Sequence, residues 1–367
     1  MFGIKRRTFL KGVPASFTLL TGSFTLFSSK TANSMNMSSS VSPRELPGFE
    51  GQLPVALSVS DDGTILGISK DSTVGVLDRD GDILAGKEQA VFWRPDLTFG
   101  KLPTPLNTTE QQMSQVFGAS SQGIACGVFQ SKQGALQAAV WENGLIEILS
   151  GLKGKERSRA LGCNDLKVVV GSATQNNLDQ PVYWDANTSK KAKRLPLPNG
   201  FSGRASGINN DGIVVGELTS KDGSGQAAIW LNTQEQPHVL KTPETVVSSY
   251  ASGVTSNGTV FGAARGKQDT FRAVYWQGGV MHYINGLGNT FSTVMAVSEG
   301  GIAVGTYITG NKEIRLFAFK EGRITELRGL GGAQKSVLSI NNSGVACGMS
   351  QNNEGQARAV LWEIGNL

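Results

Sequence analysis

The chain has 367 residues, 47 of them glycine, and a formal net charge of +5 at pH 7. The excess charge lies in residues 1–34, which hold five lysines and arginines and no acid, so the remainder carries 34 − 5 = 29 basic residues against 29 acidic ones. A neutral body without a basic stripe argues against nucleic-acid binding, because phosphate backbones are recognised by clustered positive charge.

The amino terminus has the pattern of an export signal. Paired arginines are followed, after one threonine, by two apolar residues and a lysine, at Arg6, Arg7, Phe9, Leu10 and Lys11. This segment resembles the twin-arginine signal of bacteria, whose pattern is Arg-Arg-x-Phe-Leu-Lys. The resemblance implies export of the folded protein to the periplasm or the medium.

The rest of the signal predicts cleavage, not membrane anchoring. Residues 12–28 are apolar but are interrupted by serine and threonine, so they are too short and too polar for a stable membrane span. Small residues at Ala32 and Ser34 predict cleavage after Ser34. Residues 35–42 are then a linker, and the mature domain covers residues 43–367.

The mature domain is built from seven similar units. The common pattern is a glycine, three residues and a second glycine, followed by an aromatic residue; one unit lacks the first glycine. The second glycines are Gly67, Gly127, Gly171, Gly216, Gly262, Gly305 and Gly348, and the aromatic residues are Trp93, Trp141, Trp184, Trp230, Trp276, Phe319 and Trp362. The first unit carries an insertion of about a dozen residues, since Gly67 precedes Trp93 by 26 positions instead of 13 or 14. A repeat of this length indicates one supersecondary unit used seven times.

Each unit is expected to form four short strands. In the fourth unit these cover residues 205–209, 213–218, 226–230 and 237–240, separated by polar and glycine-rich turns. Four strands per 43 to 46 residues predict an all-β fold, a seven-bladed β-propeller. The third unit has Lys167 in place of its first glycine, so its turn should be different or strained.

Three further patterns predict how the blades pack. Residues two positions before each first turn are all small (Ser58, Gly118, Gly162, Gly207, Gly253, Ala296 and Ser339), which places the first strand at the crowded channel. The tryptophans should pack between neighbouring blades. The seventh unit lacks a fourth strand after Trp362, and the amino-terminal strand at residues 43–48 should complete it and close the ring.

Two segments, Ile284–Gly305 and Leu327–Gly348, resemble the HAF family of predicted extracellular repeats. Members have Leu-Gly-Gly-x-x-Ser-x-Ala-x-x-Ile-Asn-x-x-Gly-x-Val-Val-Gly units ending in an aromatic residue. The resemblance covers about residues 44–367 and implies a propeller outside the cytoplasm. The family's motif residues are structural, so it implies no catalytic set.

The sequence predicts no catalytic, cofactor-binding or metal-binding residue. Residues 78–82 alternate carboxylates in a way that suggests calcium, but they lack the distal glutamate of an EF-hand and favour a hairpin. The segment Ser60–Thr64 resembles a sialidase Asp box only superficially. His238 and His282 are expected at the surface, and Cys126, Cys163 and Cys347 as small buried hydrophobes.

Two functions remain open. The first is a monomeric binding module for a protein, peptide or glycan, with the first-unit insertion and residues 106–114 crowding one face. The second is a hydrolase or lyase acting on polysaccharide or cell-wall material at the channel mouth, which rests on analogy with other propellers.

Overall fold

The computed structural model describes residues 39–48, 52–71, 88–105, 112–153, 157–267 and 269–365. These residues form seven β-sheets and no helix. The export signal and the carboxylates of residues 78–82 lie outside them.

Each sheet is one blade of a seven-bladed β-propeller, as the repeat predicts. We name the strands A to D from the channel outward; neighbouring A strands contact one another around the ring. The strands are Gln52–Val59, Ile65–Asp71, Gln89–Trp93 and Phe99–Lys101 in blade 1; Ser114–Ala119, Ala125–Gln130, Leu136–Glu142 and Leu145–Ile148 in blade 2; Ser158–Cys163, Val168–Gln175, Leu178–Asp185 and Ser189–Arg194 in blade 3; Ser202–Ile208, Val214–Thr219, Gly225–Trp230 and His238–Val239 in blade 4; Val246–Val254, Val260–Gly266, Arg272–Gln277 and Val280–Tyr283 in blade 5; Ser292–Val297, Ala303–Ile308, Ile314–Lys320 and Arg323–Leu327 in blade 6; and Gly331–Ile340, Val345–Asn352 and Ala357–Glu363 in blade 7.

The up-and-down order of the strands gives the ring two distinct faces. We call the face that holds the A–B and C–D turns the AB face. The opposite face, which holds the B–C turns and the connections between blades, is the BC face.

The amino-terminal strand closes the ring, as predicted. Arg44–Glu45 is strand D of blade 7 and pairs antiparallel with Leu361 and Val360. The Leu46 amide then donates to the Ala359 carbonyl at 2.9 Å, and the Leu46 side chain is buried against blades 1 and 7. Both ends of the described chain therefore meet in one sheet.

The closing strand is one of two latches formed by the amino-terminal segment. The second latch precedes it in the chain and has no counterpart in the repeat pattern of the sequence. Ser40–Val41 pairs in parallel with Glu326 and Leu327, and adds a fifth strand to blade 6. The Arg328 amide donates to the Val41 carbonyl at 2.8 Å. A two-residue strand has too little periodicity to be seen in a sequence. The amino-terminal segment thus ties down two adjacent blades.

The second glycine of each unit allows strands A and B to approach closely. A β-bulge in strand A shifts the register opposite this glycine in every blade. A Cβ atom on Gly127 would lie 1.9 Å from the Gln115 carbonyl oxygen, and one on Gly262 would lie 1.9 Å from that of Tyr250. Any side chain at this position would collide with backbone, so only glycine fits.

The tryptophans join neighbouring blades, which confirms their predicted place. Each indole N–H donates to a carbonyl just after strand D of the preceding blade: Trp93 to Pro47, Trp141 to Pro103, Trp184 to Ser150, Trp230 to Pro196, Trp276 to Lys241 and Trp362 to Arg328, at 2.7 to 2.9 Å. The Trp93 bond reaches the closing strand, so the pattern continues through the seam. Phe319 of blade 6 has no such donor and instead packs near Phe261 and Tyr275.

Lys167 occupies the first-glycine position without changing the turn. Its amide donates to the Asn164 carbonyl at 3.1 Å, as Gly63 donates to Ser60 at 3.0 Å. Its φ is 61°, in the left-handed region that disfavours residues with a Cβ. The sequence predicts a turn that is either different or strained, and the structure shows the strained turn.

The two latches can be separated by truncation. A chain starting at residue 43 loses only the fifth strand of blade 6 and should melt at a slightly lower temperature than a chain starting at residue 35. A chain starting at residue 49 also loses the closing strand and buried Leu46, and should lose at least about 2 to 5 kcal/mol of unfolding free energy. Thermal unfolding of both would measure this, and equal melting temperatures would contradict closure through Arg44–Glu45.

The contribution of the indole bond can be isolated at Trp230. Trp230→Phe keeps most of the buried ring but leaves the Pro196 carbonyl without its donor, and should cost about 1 to 3 kcal/mol. Trp230→Ala also opens a cavity and should cost about 3 to 5 kcal/mol. Denaturant unfolding measures both values; a Phe variant as stable as the parent would show that packing alone joins the blades.

Candidate binding site at the central channel

The A strands enclose a channel that contains a cavity of about 220 Å³. All seven blades contribute the ends of their A strands and the following turns. The wall combines small, hydroxyl and apolar side chains, among them Phe117 and Met295, with amide and carboxylate side chains at the A–B turns, including Asp61 and Glu299. No histidine, lysine or arginine is among the residues described along this cavity.

The small residues of the A strands are needed because neighbouring strands almost touch. A Cβ atom on Gly162 would lie 3.3 Å from the Gly207 Cα atom, and one on Gly253 would lie 2.5 Å from Val297 Cγ1. This contact confirms the predicted close approach at the channel. The ring radius therefore limits side-chain size at this position.

A first ring of polar residues starts the A–B turns. These residues are Ser60, Ser120, Asn164, Asn209, Thr255, Ser298 and Asn341, each at most 4% exposed. Three of them bond across blades: the Nδ2 atoms of Asn164, Asn209 and Asn341 donate to the carbonyls of Asn209, Thr255 and Ser60 at 3.0, 3.1 and 2.9 Å. The turns are thus linked around the channel mouth.

The next residue in each turn forms a second ring with three carboxylates, Asp61, Asp165 and Glu299. Asn342 donates its backbone and side-chain N–H groups to Asp61, both at 2.8 Å. Asp165 accepts from Asn210 Nδ2 at 2.7 Å and from the Gln122 amide at 3.1 Å. These carboxylates cap the backbone of adjacent blades.

Glu299 extends farthest around this ring. Its Oε1 atom accepts from the Asn210 amide at 2.8 Å, which links blade 6 to blade 4 past blade 5. Its backbone amide donates to Asn342 Oδ1 at 2.9 Å, and its carbonyl accepts from Ser256. The AB mouth is therefore a network of bonds between blades.

Hydrogen bonding also lowers the pKa of one carboxyl group in this rim. Burial alone would raise the pKa of Asp165, but hydrogen bonds from Ser121, the Gln122 amide and Asn210 outweigh it and hold the pKa below its usual range. The carboxylate stays ionised at neutral pH and bound to its neighbours.

The BC ends of the inner strands hold two half-buried ion pairs. Arg204 Nη2 lies 2.9 Å from Glu217 Oε2 in blade 4, and Lys70 Nζ lies 3.6 Å from Glu88 Oε1 in blade 1. Their side chains are the least exposed among the ion pairs of the described residues. Burying charge is costly, so such pairs are candidates for a functional role.

Burial shifts the acidity of these groups. It raises the pKa of Glu217, opposed by the charge of Arg204, and raises that of Glu88, opposed by the hydrogen bond from Gln115 and by Lys70. Burial also raises the pKa of Tyr250 to about 12, although its hydroxyl lies 2.6 Å from Thr293 Oγ1.

One N–H donor of the Arg204 guanidinium is not used in a hydrogen bond among the described residues. Its Nε atom is buried and has no partner within the described residues. An unpaired buried donor is destabilising. This unpaired donor on the BC face contrasts with the AB mouth, where the polar groups of the rim are hydrogen-bonded to each other.

The two histidines and the segment similar to an Asp box lie apart from each other. His238 and His282 are exposed on the outermost strands of blades 4 and 5, and His282 stacks on Tyr275 at 5.0 Å. The Asp62 carboxylate accepts from Ser60 Oγ at 2.6 Å and from the Thr64 amide at 2.8 Å, so the segment resembling an Asp box is an A–B turn. Residues 6, 7, 9, 10 and 11 lie outside the described part.

Sequence reasoning missed the Arg204–Glu217 and Lys70–Glu88 pairs. Arg204 and Glu217 lie on two paired strands, and Lys70 lies in strand B and Glu88 just before strand C of blade 1. Neither combination recurs at the same position in another unit, so no repeated signal reveals it. In the described ranges, no group of three or more His, Cys, Asp or Glu side chains could hold a metal ion. Nor does that part of the chain contain a helix long and apolar enough to cross a membrane.

No protein-family model matches the chain, and no curated protein matches it by sequence. Its likeness to solved structures is in the fold. The β-propeller domain of the Trilobed protease from Pyrococcus furiosus, described as having an open velcro topology, aligns with a TM-score of 0.56 at 9% identity, over 86% of this chain and 94% of that one. A chain of the mitotic checkpoint complex aligns at 0.55 and 12% identity, over 94% and 98%. YCF48 bound to D1 peptide aligns at 0.51 and 13%, over 91% and 99%. The protein is a β-propeller, closed here by its amino-terminal strand.

Proposed function

We propose that this protein is an exported binding module that contacts a protein, peptide or glycan through its BC face. The observation that carries the proposal is the contrast between the two faces of the ring. Polar groups on the AB face are hydrogen-bonded to each other, whereas the BC face holds the two least exposed ion pairs and one unpaired buried donor of the described residues.

The AB rim is better suited to holding the ring together. Asp61, Asp165 and Glu299 bond to backbone and amide groups of adjacent blades. A ligand that used these carboxylates would have to break bonds between blades. The rim therefore supports a structural role.

The BC face carries the most buried charge among the described residues. The two least exposed ion pairs lie there, and Arg204 Nε lacks a partner among the described residues. The predicted first-unit insertion and most of the predicted segment 106–114 lie outside the described part. The Ser114 amide donates to the Glu88 carbonyl at 3.1 Å, so the residues described after each of these gaps meet beside the Lys70–Glu88 pair. Buried charge on a face that also holds the connections between blades favours a recognition surface.

The structural neighbours support a binding role only through the fold. YCF48 is bound to D1 peptide, and the mitotic checkpoint chain is part of a complex. At 12 to 13% identity these partners say nothing about the ligand of this chain.

One observation favours the enzyme alternative, a hydrolase or lyase acting on polysaccharide or cell-wall material at the channel mouth. Glu217 and Glu88 are carboxyl groups whose pKa is raised by burial, as a general acid requires. If the protein is an enzyme, Glu217→Gln should abolish turnover and leave substrate binding intact.

The location and family are also proposals. Arg6, Arg7, Phe9, Leu10 and Lys11 support twin-arginine export, and the segments Ile284–Gly305 and Leu327–Gly348 support membership of the HAF repeats. A protein exported in the folded state would arrive with its ring already closed.

Charge reversal on each face tests the binding proposal. The purified protein is screened against peptide and glycan arrays, and hits are measured by calorimetry. Lys221→Glu with Lys267→Glu, both exposed on the BC face, should change the affinity for a hit at least about tenfold if the ligand is charged. The matched control, Arg94→Glu with Arg323→Glu on the AB face, should leave it unchanged. Equal effects of both pairs would contradict a BC-face site.

Export is tested by replacing the arginine pair. Arg6→Lys with Arg7→Lys should leave the uncleaved precursor in the cytoplasm of a bacterial host, since the pair is the recognised feature. Lys30→Arg is the control and should be exported normally. Processing of the twin-lysine variant at the wild-type rate would refute this route.

A further inference from the structure

Two of the three cysteines face each other across the contact between blades 2 and 3. Cys126 lies in strand B of blade 2, directly before the second glycine, and Cys163 ends strand A of blade 3. We propose that this pair is a disulfide-forming site that joins the two blades covalently when a small disulfide enters the channel.

The repeat explains why these two positions meet. At all seven contacts between blades, the residue before the second glycine shares a hydrophobic cluster with the last residue of the next blade's strand A. The pairs are Leu66 with Ala119, Cys126 with Cys163, Val170 with Ile208, Val215 with Val254, Phe261 with Val297, Val304 with Ile340, and Cys347 with Val59. Cysteine occupies both positions at one contact alone.

The two thiols lie at the same contact between blades. Cys163 Sγ donates to the Ile124 carbonyl oxygen at 3.4 Å, two residues before Cys126. The strand that carries Cys163 packs against the strand that carries Cys126, and both side chains belong to one buried cluster with no third thiol in it. The fold therefore brings the two thiols together at a place where they can pair.

The channel gives access to one of the sulfurs. Cys163 lines the cavity and is 8% exposed, whereas Cys126 is fully buried behind it. The neighbouring Cys163 thiol and burial raise the pKa of the Cys126 thiol well above its usual range. A reagent in the channel therefore meets Cys163 first.

The reaction balances with a low-molecular-weight disulfide as the oxidant. The Cys163 thiolate attacks one of its sulfurs, releases one thiol and forms a mixed disulfide. Cys126 loses its proton and attacks Cys163 Sγ, which forms the bond between blades and expels the second thiol. The protein loses two electrons and two protons, and the small disulfide is reduced to two thiols.

The test uses the full exported chain and 2-hydroxyethyl disulfide at mildly alkaline pH. After quenching, free thiols are alkylated in denaturant and the cysteines are mapped by peptide mass spectrometry. We expect a cross-linked Cys126–Cys163 peptide and full alkylation of Cys347, whose partner is Val59. The oxidised protein should melt at a higher temperature, and a reductant should reverse the shift, because the bond restricts the unfolded chain.

Two cysteine replacements serve as controls, one taken from other units and one to alanine. The Cys126→Val variant carries the residue found at this position in units 3 and 4, and its reaction should stop at the mixed disulfide on Cys163. The Cys347→Ala variant should form the Cys126–Cys163 cross-link as the parent does. Equal alkylation of all three cysteines in the treated parent, or a mixed disulfide on Cys163 that never resolves, would overturn the proposal. Because the parent protein alone decides this, a poorly folding variant leaves the test valid.

Discussion

The structure depends on how closely seven inner strands can approach one axis. Neighbouring A strands come together where Gly162 faces Gly207, with no room for a larger side chain. Strand B can approach strand A only because the second glycine has no Cβ opposite a backbone carbonyl. Both constraints act on the same bulged part of the blade. The spacing of small residues and glycines therefore fixes both the position of strand A and the radius of the ring.

The outer part of the ring is held by a different interaction. The six indole N–H groups bond to carbonyls of the preceding blade, and the bond from Trp93 to Pro47 crosses the seam. Since Pro47 follows the closing strand, the seam is joined by the same contact as five other interfaces. Phe319 shows that aromatic packing can replace the bond at one contact. Closure is thus an ordinary interface made from the two ends of the chain.

Most of the architecture could be predicted from the sequence, because it is repeated. Glycine, tryptophan and small residues recur at fixed positions, and the missing fourth strand of the last unit has its counterpart at Leu46. The parallel strand Ser40–Val41 could not be predicted, since it is short and occurs once. The pairs Arg204–Glu217 and Lys70–Glu88 also occur once each and depend on contacts between strands. Repetition reveals the scaffold, whereas the features that distinguish one blade from another appear only in three dimensions.

The double attachment of the amino-terminal segment has a mechanical consequence. A pull on the amino terminus, by a protease or a translocation motor, loads the strand on blade 6 before it reaches the one on blade 7. The outer strand would be lost first, while the circular arrangement survives. We expect a pulling force to detach the strand on blade 6 first, so that the contact between blades 7 and 1 stays closed at low force.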